Sequence, residues 1–268
     1  MSTHPPFSRV QRRRFYTAAL GFVAASRRVI LRKMTTGFRK RLKADASYVT
    51  DADLAAERVL RHAIAGRFPG HGIIGEEFPP TNPGSDFQWI LDPIDGTLSF
   101  THGIPFFGTI IGLHHRGRPL VGIIDHPALG LCYSAGAGLG CYRNGRRVRI
   151  RPPVDLEREV IATGDRGRFV ACRRARSFDD LMREHPQVRA YADCLGHTLA
   201  AEGSVGAMVD YGVRLWDIAA TRILVEEAGG RYVQIYRSRR AEPTIYGIIC
   251  GKPAVVKRLL PIFRGGSP

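Results

Sequence analysis

Cysteine is scarce in this 268-residue chain: there are five, at positions 132, 141, 172, 194 and 250, and none forms a C-x-x-C pair. An odd, scattered set argues against a disulfide framework and a thiolate zinc site, and it fits a reducing cytoplasm. Long hydrophobic runs are missing too. No apolar stretch approaches the roughly 18 to 20 residues a membrane span needs. The basic start leads into an amphipathic pattern rather than the short apolar core of a secretory signal. Acids are outnumbered, 24 Asp plus Glu facing 40 Lys plus Arg, for a formal charge of +16. Such an excess can serve nucleic acid or another polyanion. No aromatic-plus-basic RNA motif or zinc finger accompanies it, so the clusters at Arg12–Arg14, Arg27–Lys43, Arg143–Arg151 and Arg166–Arg176 are read as solvated faces that also steer anionic substrates.

What is present is ordinary globular patterning, with 44% apolar side chains. Apolar residues at helical spacing predict a helix over Val10–Met34 and a second from Thr50 to about Phe68, with Thr50 and Asp53 as a cap. The period then shortens. Gly72–Gly75, Trp89–Leu91, Phe106–Leu113, Leu120–Ile124 and Leu131–Ser134 read as strands, and Asn144-Gly145 as a hairpin turn. Pro152-Pro153 marks a seam, dividing the chain into halves 1–152 and 153–268. Beyond it, strands at 160–162, 207–209, 232–235 and 246–250 alternate with helices at 175–183, 196–202, Trp216–Ala228 and 253–263. The class is mixed α/β.

The few acids are placed unevenly. Asp92-Pro93-Ile94-Asp95-Gly96-Thr97 follows a buried apolar strand, where unpaired carboxylates would be costly unless they bind a metal. Pro93 is expected to end the ladder and fix a turn on which both acids converge. Gly96 and Thr97 offer backbone amides and a hydroxyl suited to phosphate. Glu76 and Glu77 close another short strand, Asp217 opens the predicted helix at Trp216, and Asp53 sits in a helix's first turn. Hard oxygen ligands without Cys or His at metal spacing point to magnesium, with manganese as a substitute. Paired ions of this kind cleave phosphate esters. A covalent D-x-D-x-T mechanism does not fit, because the acids here are three apart.

Together, Val49-Thr50-Asp51-Ala52-Asp53, Gly75-Glu76-Glu77, Asp92–Thr97 and Trp216-Asp217 resemble the inositol monophosphatase family of lithium-sensitive magnesium phosphatases, over about Phe15–Leu260. The resemblance implies a layered αβαβα sandwich, a homodimer and two to three magnesium ions. Glu76, Asp92 and the Ile94 carbonyl would hold the first ion, and Asp92, Asp95 and Asp217 the second. Glu76 and Glu77 would serve a third. Asp53 and Thr97 would orient and deprotonate the attacking water, with Gly96 and Thr97 gripping phosphate.

Lys43–Thr50, Phe106–Thr109, Gly122–Pro127 and Asp193-Cys194 resemble the histidinol-phosphate phosphatase branch. Tyr48, Leu98 and Ala192 depart from it, and Asp210 replaces a usual glutamate at the substrate's polar end. A cationic substrate would welcome an acid at Asp193 or Asp210. Histidinol phosphate is therefore the first substrate expected, in histidine biosynthesis. Inositol-1-phosphate or a sugar phosphate comes second, then a nucleotide 3′-phosphate. A polyanion-binding role on a phosphatase scaffold is the remote alternative.

Overall fold

The structure is a computed structural model describing residues 7–44, 47–238 and 243–264. Asp45, inside the Lys43–Thr50 motif, lies outside the described residues. Helix α1 (Arg9–Thr36) starts at a capping box on Ser8. A short hairpin, β1 (Lys40–Leu42) with β2 (Tyr48–Thr50), leads into α2 (Asp51–Arg67). There the Thr50 hydroxyl accepts from the Ala52 and Asp53 amides, and the Asp53 carboxylate accepts from the Thr50 amide at 2.7 Å. This reciprocal cap satisfies donors that a helix start otherwise leaves open.

Seven strands form the first sheet: β3 (Gly72–Gly75), β4 (Phe87–Asp95), β5 (Gly108–His115), β6 (Arg118–His126), β7 (Leu131–Gly136), β8 (Gly140–Arg143) and β9 (Arg146–Val148). They lie side by side in chain order, and only β3 and β4 run parallel. Helix α3 (Thr97–Thr101) follows β4 directly. The second sheet uses β10 (Ile161–Thr163), β11 (Val188–Arg189), β12 (Ala207–Val213), β13 (Arg231–Ser238) and β14 (Ile245–Gly251), in the order β11-β10-β12-β14-β13. Its helices are α4 (Arg166–Ala171), α5 (Ala175–Glu184), α6 (Asp193–Glu202), α7 (Thr221–Glu227) and α8 (Pro253–Arg264).

Side-chain alternation assigns the layers. Trp89, Leu91, Ile111, Leu113, Val121 and Ile123 pack with Phe22 and Val23 of α1 and Leu60 and Ile64 of α2. Ile90, Ile110 and Ile124, on the opposite face, pack with Ala200, Ile223 and Leu224 of α6 and α7 and with Met208 and Ile248 of the second sheet. That sheet's outer face carries Val209, Tyr211 and Ile249 against Phe169, Leu181 and Leu259. The result is the αβαβα sandwich. Complete burial of a side chain such as Leu60 or Ile64 contributes roughly 2 kcal/mol each. No helix among the described residues is long and apolar enough to cross a membrane.

Two departures from the sequence reading decide where the acids go. First, Pro93 does not end the strand: β4 continues to Asp95, with Asp92 opposite Ile110 and Asp95 opposite Gly108. One extra residue on β4 makes a bulge there, and Thr109 donates to the Pro93 carbonyl at 2.8 Å. In a regular strand, residues three apart face opposite sides; the bulge lets Asp92 and Asp95 share one. Second, the helix expected over Trp216–Ala228 begins only at Thr221, after turns through Trp216–Ala220. His114 Nε2 donates to the Ala219 carbonyl at 2.8 Å, and the segment presses onto the paired glycines Gly112 and Gly122. A Cβ at Gly112 would lie 2.7 Å from the Ala219 oxygen, and one at Gly122 2.8 Å from the Ala220 oxygen. Glycine at both positions seats Asp217's segment on the sheet.

Candidate active site

Asp92, Asp95 and Asp217 meet, each offering one oxygen within 4.8 Å of the others. Asp92 is 1% exposed and its Oδ1 has no hydrogen-bond partner. Burial raises the Asp92 carboxyl well above the usual range, and Glu76, Asp95 and Asp217 push it further. Asp95 is raised by burial and then by Asp193 and Asp217, while its Oδ2 accepts from the Cys194 amide. Asp217 is pushed up to about 7 by burial and Glu76, against the Arg214 amide that donates to its Oδ2 at 2.7 Å. Concentrated buried anions with an orphaned oxygen are the donor set that a hard divalent cation satisfies.

Glu76 borders this trio without joining it. Lys43 Nζ donates to Glu76 Oε1 at 2.7 Å and to Glu77 Oε1 at 2.8 Å. Burial works against the ammonium, but the two glutamates outweigh it and hold its pKa above the usual value. Glu77 rises to about 7 through burial and Glu76. Its amide donates to Glu57 Oε2 at 2.8 Å, and Glu57 also takes Arg61 at 2.7 Å. Only glycine at 75 leaves room for this: a Cβ there would lie 2.0 Å from Glu57 Oε1.

Asp53 is 1% exposed and pushed up to about 6 by burial despite its bonds from Thr50. The Thr97 hydroxyl lies 3.5 Å from Asp53 Oδ1 and donates to the Ile94 carbonyl at 2.9 Å. Gly96 takes φ of 81°, the left-handed conformation that turns the chain from β4 into α3. His71 stacks on Phe68 and Phe87 in the aromatic core, and His102 turns its ring back onto the Leu98 carbonyl at 2.8 Å.

At the far end, Asp193 opens α6 with φ of 57°. Its Oδ1 accepts from Arg168 Nη2 at 3.0 Å. Asp210, expected at the substrate's polar end, is sealed from solvent; its Oδ2 lies 3.4 Å from His197 Nε2 and its Oδ1 accepts from the Tyr211 amide. Arg168 was not among the sequence candidates. It sits in an arginine-rich string read as a solvated face, and no local pattern distinguishes it from its neighbours.

A two-sheet sandwich that gathers buried acids around one point, next to an amide-lined turn, is the architecture of a metal-dependent phosphatase. The inositol monophosphatase family matches residues 11–265, and the chain belongs to it. It is 35% identical to a histidinol-phosphatase of Chlorobaculum parvum over 84% of this chain and 86% of that one. It is 34% identical to an inositol-1-monophosphatase of Mesorhizobium japonicum, covering 70% and 73% of the two chains. The crystal structure of the suhB protein of Bartonella henselae superposes with a TM-score of 0.82 at 27% identity, over 94% of this chain and 98% of that one. The chain is a phosphoric monoester hydrolase.

Proposed function

We propose that the chain hydrolyses histidinol phosphate to histidinol and phosphate, with two to three magnesium ions held by Glu76, Glu77, Asp92, the Ile94 carbonyl, Asp95 and Asp217. The observation that carries the metal assignment is the unpartnered, buried Asp92 Oδ1 among converging carboxylates. Held by those carboxylates, magnesium would supply Lewis-acid charge and make a bound water easier to deprotonate. Thr97 holds the attacking water by its hydroxyl and Asp53 takes its proton, a pairing supported by the 3.5 Å between the hydroxyl and Asp53 Oδ1, close enough for one water to bond both. The Gly96 and Thr97 amides grip the phosphate, and attack is in line without a phosphoenzyme.

The leaving-group end supports an amine. Asp193 and Asp210 together exceed Arg168 by one negative charge, which a single ammonium balances. Asp193 is the direct contact in this reading, and buried Asp210 acts through its charge. The likeness to a histidinol-phosphatase points the same way. A second reading, inositol-1-phosphate, draws support from the inositol-1-monophosphatase relative and from Arg168, which already engages Asp193. A homodimer working in the cytoplasm belongs to the same proposal, and sedimentation at two concentrations tests the dimer. Steady-state hydrolysis of histidinol phosphate, inositol-1-phosphate and an aryl phosphate, with and without magnesium, tests the substrate. Histidinol phosphate should lead by kcat/KM; parity with the aryl ester would remove it.

A further inference from the structure

Arg168 takes no part in the bond-breaking steps above, yet it holds Asp193, the proposed contact for the leaving group. Its side chain is 34% exposed, its Nη2 holds Asp193 Oδ1 at 3.0 Å, and its Nε is 3.5 Å from Asp165. Gly212 braces its base, since a Cβ there would come 3.0 Å from Arg168 Cβ. The other oxygen of Asp193 faces the phosphate turn: a Cβ at Gly96 would lie 3.4 Å from Asp193 Oδ2. Asp210, Asp193, Asp217 and Asp95 all act on the guanidinium. The Asp193 carboxylate thus stands between a fixed cation and the phosphate-gripping loop.

We propose that Arg168 is a specificity-determining residue, a built-in cation set against Asp193 and Asp210 that selects leaving groups by charge. The proposal deepens the phosphatase reading and rests on it. Counted over Arg168, Asp193 and Asp210, and leaving out Asp165, whose carboxylate is mostly exposed to solvent, the end of the site carries one surplus negative charge, so it favours a cationic leaving group, admits a neutral polyol and disfavours an anion. Without it the surplus is two. A unit charge several ångströms away in a partly desolvated site changes binding by about tenfold per unit of leaving-group charge once solvent and ions screen it.

Three esters of similar length isolate this effect: 2-aminoethyl phosphate, 2-hydroxyethyl phosphate and phosphoglycolate, ending in ammonium, hydroxyl and carboxylate. Their kcat/KM values are compared in wild type, Arg168→Gln and Arg168→Lys at fixed ionic strength and saturating magnesium. Arg168→Gln should move the ammonium-to-hydroxyl ratio about tenfold toward ammonium and the ammonium-to-carboxylate ratio further, and Arg168→Lys should stay within about threefold of wild type. Ratios do not depend on the folded fraction, so a poorly folding variant still reports. For an ester turned over too slowly, its inhibition constant against an aryl phosphate gives the same ratio. An unchanged ratio in Arg168→Gln, a shift toward carboxylate, or equal shifts in Gln and Lys would overturn the assignment. If wild type shows no preference for histidinol phosphate over an aryl ester, the substrate reading falls while the shift among these three esters still decides the role of Arg168.

Discussion

Replacing Asp217 by asparagine should make the metal-free protein more stable and the enzyme inactive. The Asp217 carboxyl is raised from 3.8 to about 7 by burial and by Glu76. The folded state therefore holds this proton where the unfolded chain has released it, and stability falls as pH climbs from about 4 through about 7. Roughly three pKa units at 1.36 kcal/mol each set an upper bound of about 4 kcal/mol. The neighbouring acids share the repulsion, so about half is assigned to Asp217 alone. Asparagine keeps an acceptor for the Arg214 amide, now at 2.7 Å, and carries no charge. At about pH 8 in EDTA, Asp217→Asn should gain about 2 kcal/mol, or about 4 °C in Tm for a chain of this size. At about pH 4 the gain should vanish. Excess magnesium should raise the wild-type Tm by more than the variant's, since only the ion shared by Asp92, Asp95 and Asp217 loses a ligand, and kcat should fall at least about 100-fold. Thermal unfolding by circular dichroism at both pH values, alongside phosphate release, reads all of this. A variant less stable than wild type in EDTA at the higher pH, or one with a full magnesium shift, would refute the reasoning.

Gly112→Ala would push a methyl group against the Ala219 backbone 2.7 Å away and displace the segment carrying Asp217; we expect about 2 kcal/mol of destabilisation and a raised magnesium requirement in activity titrations. Thr97→Val keeps the volume and removes the hydroxyl, so kcat should drop about 100-fold with KM nearly unchanged in steady-state assays. Asp53, raised to about 6, must be ionised to accept a proton, so activity should fall as pH drops through an acid limb at or below that value. Nearby magnesium would draw the limb lower, and a kcat/KM profile of Asp53→Asn should lack it.

Helices α1 and α2 were legible because their apolar residues recur at helical spacing and Thr50 and Asp53 announce a cap, which the structure closes reciprocally. Short apolar runs bounded by turn residues, such as Trp89–Leu91, were equally open to reading as strands, as was the Asn144-Gly145 turn between β8 and β9. The bulge was not. Nothing local in Asp92–Asp95 says that β4 runs through a proline with one residue to spare; pairing with β5 decides it. Trp216–Ala220 has helical apolar spacing, but His114 and Gly112, about 100 residues away, determine how that backbone sits. Lys43 shows the same dependence on remote contacts. Its ion pairs with Glu76 and Glu77 join segments with no shared local pattern, and the Arg168–Asp193 pair does likewise.

Anomalous scattering from a manganese-soaked crystal addresses the central claim most directly. Peaks should appear between Asp92, Asp95 and Asp217 at oxygen-ligand distances of about 2.2 Å, with Asp92 Oδ1 among the ligands. Crystals that hydrolyse a phosphate ester while showing no ion at those three carboxylates would contradict it.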